Sequence, residues 1–83
     1  SSVDETSLSI NIYPNPVKES INIEMNENIT KIEVYTVLGA KVYEKAGDNS
    51  LTMAIPAAEL PKGLLIVKVY GKNGVMERKV IKE

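Results

Sequence analysis

From Leu60 to Tyr70 the chain reads Leu-Pro-Lys-Gly-Leu-Leu-Ile-Val-Lys-Val-Tyr, and nothing else in it is as continuously apolar. After Pro61 and Gly63, only Lys68 carries a charge, and Ile66, Val67 and Val69 are β-branched, which favours a pleated backbone over a helix. The stretch predicts a central strand. Leu65, Val67 and Val69 point to one face and Leu64, Ile66 and Tyr70 to the other, with both faces covered at the start of the strand and one opening to solvent at Lys68. Every other segment is thinner and has to pack around this one.

The segments before it alternate at a period of two. Leu8, Ile10 and Ile12 form the inward face of a first strand that stops at Tyr13-Pro14-Asn15-Pro16, where each Pro removes a backbone donor and holds the preceding residue extended. This makes a stiff corner of the kind that carries a chain between two sheets. Val17–Met25 resumes with Ile21, Ile23 and Met25 inward, and Asn26–Asn28 is a turn. Ile29–Tyr35 places Ile32 and Val34 on one face and Lys31, Glu33 and Tyr35 on the other. Thr36–Gly39 is a tight loop whose Gly takes positive φ, leading to a fourth strand, Lys41–Lys45, with Val42 inward. After the turn Ala46–Ser50, Leu51, Met53 and Ile55 face inward on a fifth strand ended by Pro56, and Ala57–Leu60 predicts a single turn that drops Leu60 into the core.

Beyond the central strand, Gly71-Lys72-Asn73-Gly74 carries the Asn-Gly signature of a hairpin with positive φ. Val75–Lys82 is then a seventh strand, read with a bulge near Arg78 or Lys79 and a register that stays open. Seven short strands with no helical period and no crossover helix predict an all-β fold, a seven-stranded antiparallel immunoglobulin-like β-sandwich with Greek key connections. Residues 1–7 have one apolar member and read as the end of a linker from whatever precedes it, so the domain is residues 8–83.

Composition removes most chemistry. There is no Cys and no His among the 83 residues, which excludes disulfides, thiolate nucleophiles and the commonest general base and metal ligand. Asp4 with Glu5, and Glu24 with Glu27, lack the convergent oxygens that a calcium site needs, and the glycines have no phosphate-loop spacing. No enzyme, cofactor or metal site is expected. No apolar run spans a bilayer. Net charge is −1, split as −5 over residues 1–60 and +4 over residues 61–83. That balance, with only four aromatics, all Tyr and none clustered among the basic residues, argues against nucleic acid. The Tyr residues Tyr13, Tyr35, Tyr43 and Tyr70 offer an alternative, an extracellular adhesive or carbohydrate-binding module in which rings stack on sugar.

Four landmarks remain: Tyr13-Pro14-Asn15-Pro16-Val17; Ile32–Tyr35 followed by Gly39; Leu60-Pro61-Lys62-Gly63; and the terminal Arg78–Lys82. In this order they resemble the C-terminal sorting domain of type IX secretion cargo, the Por secretion system C-terminal domain of the Bacteroidetes, over about residues 8–82. Leu65 stands where that family often has an aromatic, and Thr36 where it often has Asp or Asn. The resemblance implies a secretion signal read by the outer-membrane type IX translocon and cut from its covalent cargo in the linker by a sortase-like cysteine peptidase. It implies passage through the periplasm to the cell surface or beyond. Carried over by position, the recognition residues are Tyr13, Pro14, Asn15, Pro16, Gly39, Leu60, Pro61, Gly63, Lys79 and Lys82. The basic final strand is expected to be the surface that is read, on a monomer whose outer strand is able to pair.

Overall fold

The computed structural model describes residues 9–83. Within them the chain forms seven strands: β1 (Ile10–Tyr13), β2 (Ser20–Met25), β3 (Ile29–Thr36), β4 (Lys41–Ala46), β5 (Thr52–Pro56), β6 (Gly63–Gly71) and β7 (Val75–Lys82). All ladders between them are antiparallel, and no helix occurs among the described residues. They make a three-stranded sheet, β1-β2-β5, and a four-stranded sheet, β4-β3-β6-β7. Leu8 and the linker at residues 1–7, including Asp4 and Glu5, lie outside the described residues.

β6 lies between β3 and β7, as its apolar sequence predicts. Leu65, Val67 and Val69 are buried against Ile32 and Val34 of β3, and Ile21, Ile23 and Ile55 of the smaller sheet belong to the same core. Each such side chain stabilises the fold by about 1.5–3 kcal/mol over leaving it exposed. The turn at Ala57 closes with the Leu60 N–H donating to the Ala57 carbonyl at 3.1 Å, and Leu60 is buried. Gly39 has φ of 94°, and its N–H donates to the Thr36 carbonyl at 3.0 Å.

Four expectations are corrected. The other face of β6 is not covered at its start: Leu64 is 42% exposed, because none of the described elements crosses the outside of the larger sheet there. Leu51 is also exposed; its carbonyl accepts the Met25 N–H, but the side chain sits beyond the end of β5 at the rim of the smaller sheet. β7 has no bulge. It pairs with β6 without interruption from Tyr70↔Val75 to Gly63↔Lys82, since Met76 and Val80 share one parity and Val75 and Ile81 the other. The register shifts lie in β3 instead, at Val34/Tyr35 and Ile29/Lys31. The first of these leaves Val42 as the extra residue of β4, and Val42 and its neighbour Tyr43 both pack against the core. Finally, neither Asn73 nor Gly74 takes positive φ, which among the described residues occurs at Gly39, Gly63 and Asn49.

The β6–β7 turn is held from outside. Glu27 accepts the Asn73 backbone N–H at 2.7 Å and its side-chain amide at 3.0 Å. The Glu27 carboxylate lies where a Cβ on residue 71 would stand, so Gly71 serves the clamp by having no side chain.

Candidate functional site at the Lys82 end of the sandwich

The register gathers the connections into two sets. At one end lie Asn26–Asn28, residues 47–51, the 71–74 turn and the start of β1, where the Asn26 N–H donates to the Ser9 carbonyl. The chain comes into the domain here. At the other end lie the corner after Tyr13, the hairpin tip after Thr36, the Ala57–Lys62 connection and the end of β7. Thr36 pairs with Leu65, Gly63 pairs with Lys82, and Lys82 makes a parallel bridge with Val17.

All four landmark segments therefore reach the Lys82 end. The proline corner is bound to the last strand: the Val17 N–H donates to the Ile81 carbonyl at 2.7 Å, and the Glu83 N–H to the Val17 carbonyl at 2.9 Å. Between them the Ile81 N–H donates to Asn15 Oδ1 at 3.1 Å. The Tyr13–Pro14 and Asn15–Pro16 peptide bonds are both cis, and Tyr13 through Pro16 are exposed. The Tyr13 hydroxyl donates to Glu24 Oε2 at 2.8 Å, which raises the Tyr13 pKa.

The remaining predicted residues divide. Gly39, Pro61, Gly63 and Lys79 are exposed, whereas Leu60 and Lys82 are buried. Lys82 is 5% exposed and donates from Nζ to the Glu83 backbone oxygen at 2.9 Å. Lys79 and Lys82 do not share a surface, because they differ in parity: Lys79 faces outward with Ile66 opposite, and Lys82 faces the same way as buried Val80.

Sequence reading missed the hub of the larger sheet's outer face. Glu33 is 4% exposed yet faces outward on β3, on the same strand as Tyr35 and between β4, which carries Lys41, and β6, which carries Lys68 and Tyr70. It accepts the Tyr35 hydroxyl at 2.8 Å and the Tyr70 hydroxyl at 2.9 Å, with Lys31 Nζ at 3.3 Å and Lys41 Nζ at 3.6 Å. The two hydroxyls, aided by Lys31, hold its carboxyl at a pKa of about 2. Lys31 Nζ sits 4.7 Å from the Tyr70 ring centre and Lys68 Nζ 5.1 Å from that of Tyr35. The run Lys31-x-Glu33-x-Tyr35 on one face was the available signal.

This arrangement bears on the sugar reading. Tyr35 and Tyr70 share the outer face, but their hydroxyls are taken by Glu33 and a lysine stands over each ring. Tyr13 lies on the other sheet, and Tyr43 packs against the core. The four tyrosines do not form a common platform. One hollow of about 550 Å³ is an open groove that includes Tyr13, Glu24, Lys45 and Asp48, in which Glu24 already accepts the tyrosine hydroxyl. Among the described residues no three acidic side chains converge as a metal site, and no described helix is long and apolar enough to cross a membrane.

What the geometry offers is a rigid end composed of four chain-distant segments, with one buried lysine behind an exposed corner. No curated protein matches the chain. A family model described as the secretion system C-terminal sorting domain matches residues 11–83, the span that contains all four landmarks, and the chain therefore belongs to this family of type IX sorting signals.

Proposed function

We propose that residues 8–83 act as a folded address label whose Lys82 end is presented to the secretion machinery. The family is that of a type IX C-terminal sorting signal, which implies a cargo attached upstream and export across the outer membrane toward the cell surface or extracellular space. The observation that carries the finer reading is the division of the sandwich into two ends. Upstream chain comes in beside Ser9 and Asn26, and the landmark segments meet at the opposite end. A receptor approaching the Lys82 end stays at the far end of the domain from Ser9, where the described chain begins. A preformed surface also loses little conformational freedom on binding, which favours recognition of a shape over that of a flexible tail.

In this reading a sortase-like cysteine peptidase cuts within or just before residues 1–7, upstream of the first strand. The strand order β1-β2-β5 facing β4-β3-β6-β7 supports an immunoglobulin-like Greek key. The label itself does no chemistry: recognition falls to Tyr13, Pro14, Asn15, Pro16, Gly39, Pro61, Gly63 and Lys79 at the surface, while Leu60 and Lys82 hold that surface from beneath.

The test is a periplasm-directed reporter fused ahead of residues 1–83, in a strain with type IX machinery and in one lacking its translocon. The reporter is expected at the surface or in the medium in the first strain and in the periplasm in the second. Periplasmic retention in both overturns the proposal. Mass spectrometry of the released pieces locates the cut, expected at or before residue 7; a cut inside residues 17–82 removes the peptidase assignment.

A further inference from the structure

The outer face of the larger sheet is not uniform. Toward the Ser9 end, Lys31, Glu33, Tyr35, Lys68, Tyr70 and Glu77 satisfy one another through hydrogen bonds, ion pairs and cation-π contacts. Toward the Lys82 end the same face turns apolar. Leu64 and Ile81 stand opposite each other across β6 and β7, 42% and 50% exposed, and Ile66 follows two residues along β6. A shallow hollow of about 310 Å³ joins Ile66 to Val37 and Gly39 of the hairpin tip, whose Leu38 is 93% exposed. Lys79, opposite Ile66, and Lys62, just before β6, are exposed with no ion-pair partner among the described residues.

We infer that Leu64, Ile66 and Ile81, with the Val37–Leu38 tip beside them and Lys62 and Lys79 at the rim, form a docking surface for a partner protein that presents apolar side chains flanked by carboxylates. Isolated exposed apolar residues are ordinary, and Val75 at the far end of the same face is one, but here they adjoin in register on a half whose lysines are unpaired, whereas the charged groups of the other half compensate one another. The uncompensated lysines specify the sign of the partner's rim. Two such cations, with Glu77 and Glu83 close by in sequence, are too few for an anionic lipid surface, which draws clusters of about 4–8. The inference rests on the export reading and names the part of the Lys82 end that makes contact.

The experiment uses the same reporter fusion with Leu64→Thr and Ile81→Thr together, since Thr suits an exposed strand position, and with Leu51→Thr at the opposite end as control. The double variant is expected to fold with an unchanged melting temperature and to lower export about tenfold or more, the loss of one good interface anchor, while the control exports normally. Failure of the unsubstituted fusion sinks the export reading; normal export of the double variant beside an exported parent sinks this inference alone. If the double variant does not fold, Lys62→Glu with Lys79→Glu replaces it, and normal export of that folded pair overturns the inference. The 83-residue chain, supplied free in the periplasm in excess, is expected to compete with the fusion, and its Leu64→Thr/Ile81→Thr form is not. Equal competition by both forms overturns it. So does a dimer in sedimentation, or cosedimentation with phosphatidylglycerol vesicles, that the same substitutions abolish, the occupant then being a second copy or lipid.

Discussion

The side-chain oxygen of Asn15 accepts the backbone N–H of Ile81 at 3.1 Å, joining two residues 66 positions apart. Flanked by the two backbone bonds of Val17, it fixes the proline corner to the last strand, so the first and last landmark segments are one structural unit.

Asn15→Ala removes that acceptor from an exposed site where water partly replaces it, and the expected cost is about 0.5–1 kcal/mol. In a domain of this size about 1 kcal/mol corresponds to a fall in Tm of roughly 4–8 °C. Asn15→Asp keeps an oxygen in place and is expected to melt closer to the parent. Thermal unfolding by circular dichroism separates the two, and an Asn15→Ala protein no less stable than Asn15→Asp would show that the bond contributes nothing.

The strands were legible because burial on one face imposes a period of two that leaves its mark directly in the residues, as in Ile21, Ile23 and Met25. The Asn15 contact was not, since side chains that meet across 66 residues carry no local pattern. Lys82 was misjudged for a related reason. A lysine in a basic terminal run looks solvated, and only its parity with Val80, together with the proline corner lying against β7, places it inside. The Asn73-Gly74 signature located the hairpin but not its backbone angles, since a tertiary contact from Glu27 holds the turn. Glu33 was hidden by ordinariness: outward-facing acids on strands are usually solvated, and its two tyrosine donors come from positions 35 and 70.

Glu33 makes stability depend on acid. Its carboxyl titrates near 2 in the folded protein against an ordinary 4.5, chiefly because the Tyr35 and Tyr70 hydroxyls donate to its ionised form. The stabilisation is complete above about pH 5 and is lost as pH falls through the folded value near 2. Asp48, whose pKa is lowered by Ser50, adds a contribution of the same sign. Glu33→Gln retains an acceptor but cannot titrate, so its Tm is expected to vary less than the parent's between pH 5 and 2. Parallel curves for the two proteins would remove Glu33 as the source.

Two glycines predict a graded pair of effects. A Cβ at residue 47 would strike the Ile29 carbonyl, which is backbone, and one at residue 71 would strike the Glu27 carboxylate, which swings away. Gly47→Ala is expected to cost about 2–3 kcal/mol and Gly71→Ala about 1, within the usual range for overpacking. Once Glu27→Ala is in place, Gly71→Ala is expected to cost almost nothing further. Urea denaturation of the four members of that cycle checks it, and additive costs would mean that Glu27 and Gly71 are independent.

Lys79 and Lys82 separate recognition from folding. Lys79→Glu changes an exposed side chain and is expected to alter stability by no more than about 0.5 kcal/mol, whereas Lys82→Glu buries a carboxylate where an ammonium donated to Glu83 and is expected to cost about 1–3 kcal/mol. Lys82→Met keeps the apolar stem and loses only the bond, so it falls between them. Melting temperature and reporter export measured on all three make the distinction. If the basic strand is read through its charge, export falls with Lys79→Glu at unchanged Tm, and Lys82→Met exports in proportion to the folded fraction. If Lys82→Met instead abolishes export while fully folded, and Lys79→Glu leaves it intact, the buried ammonium is itself what the machinery requires, and the last strand must then open for it to be reached.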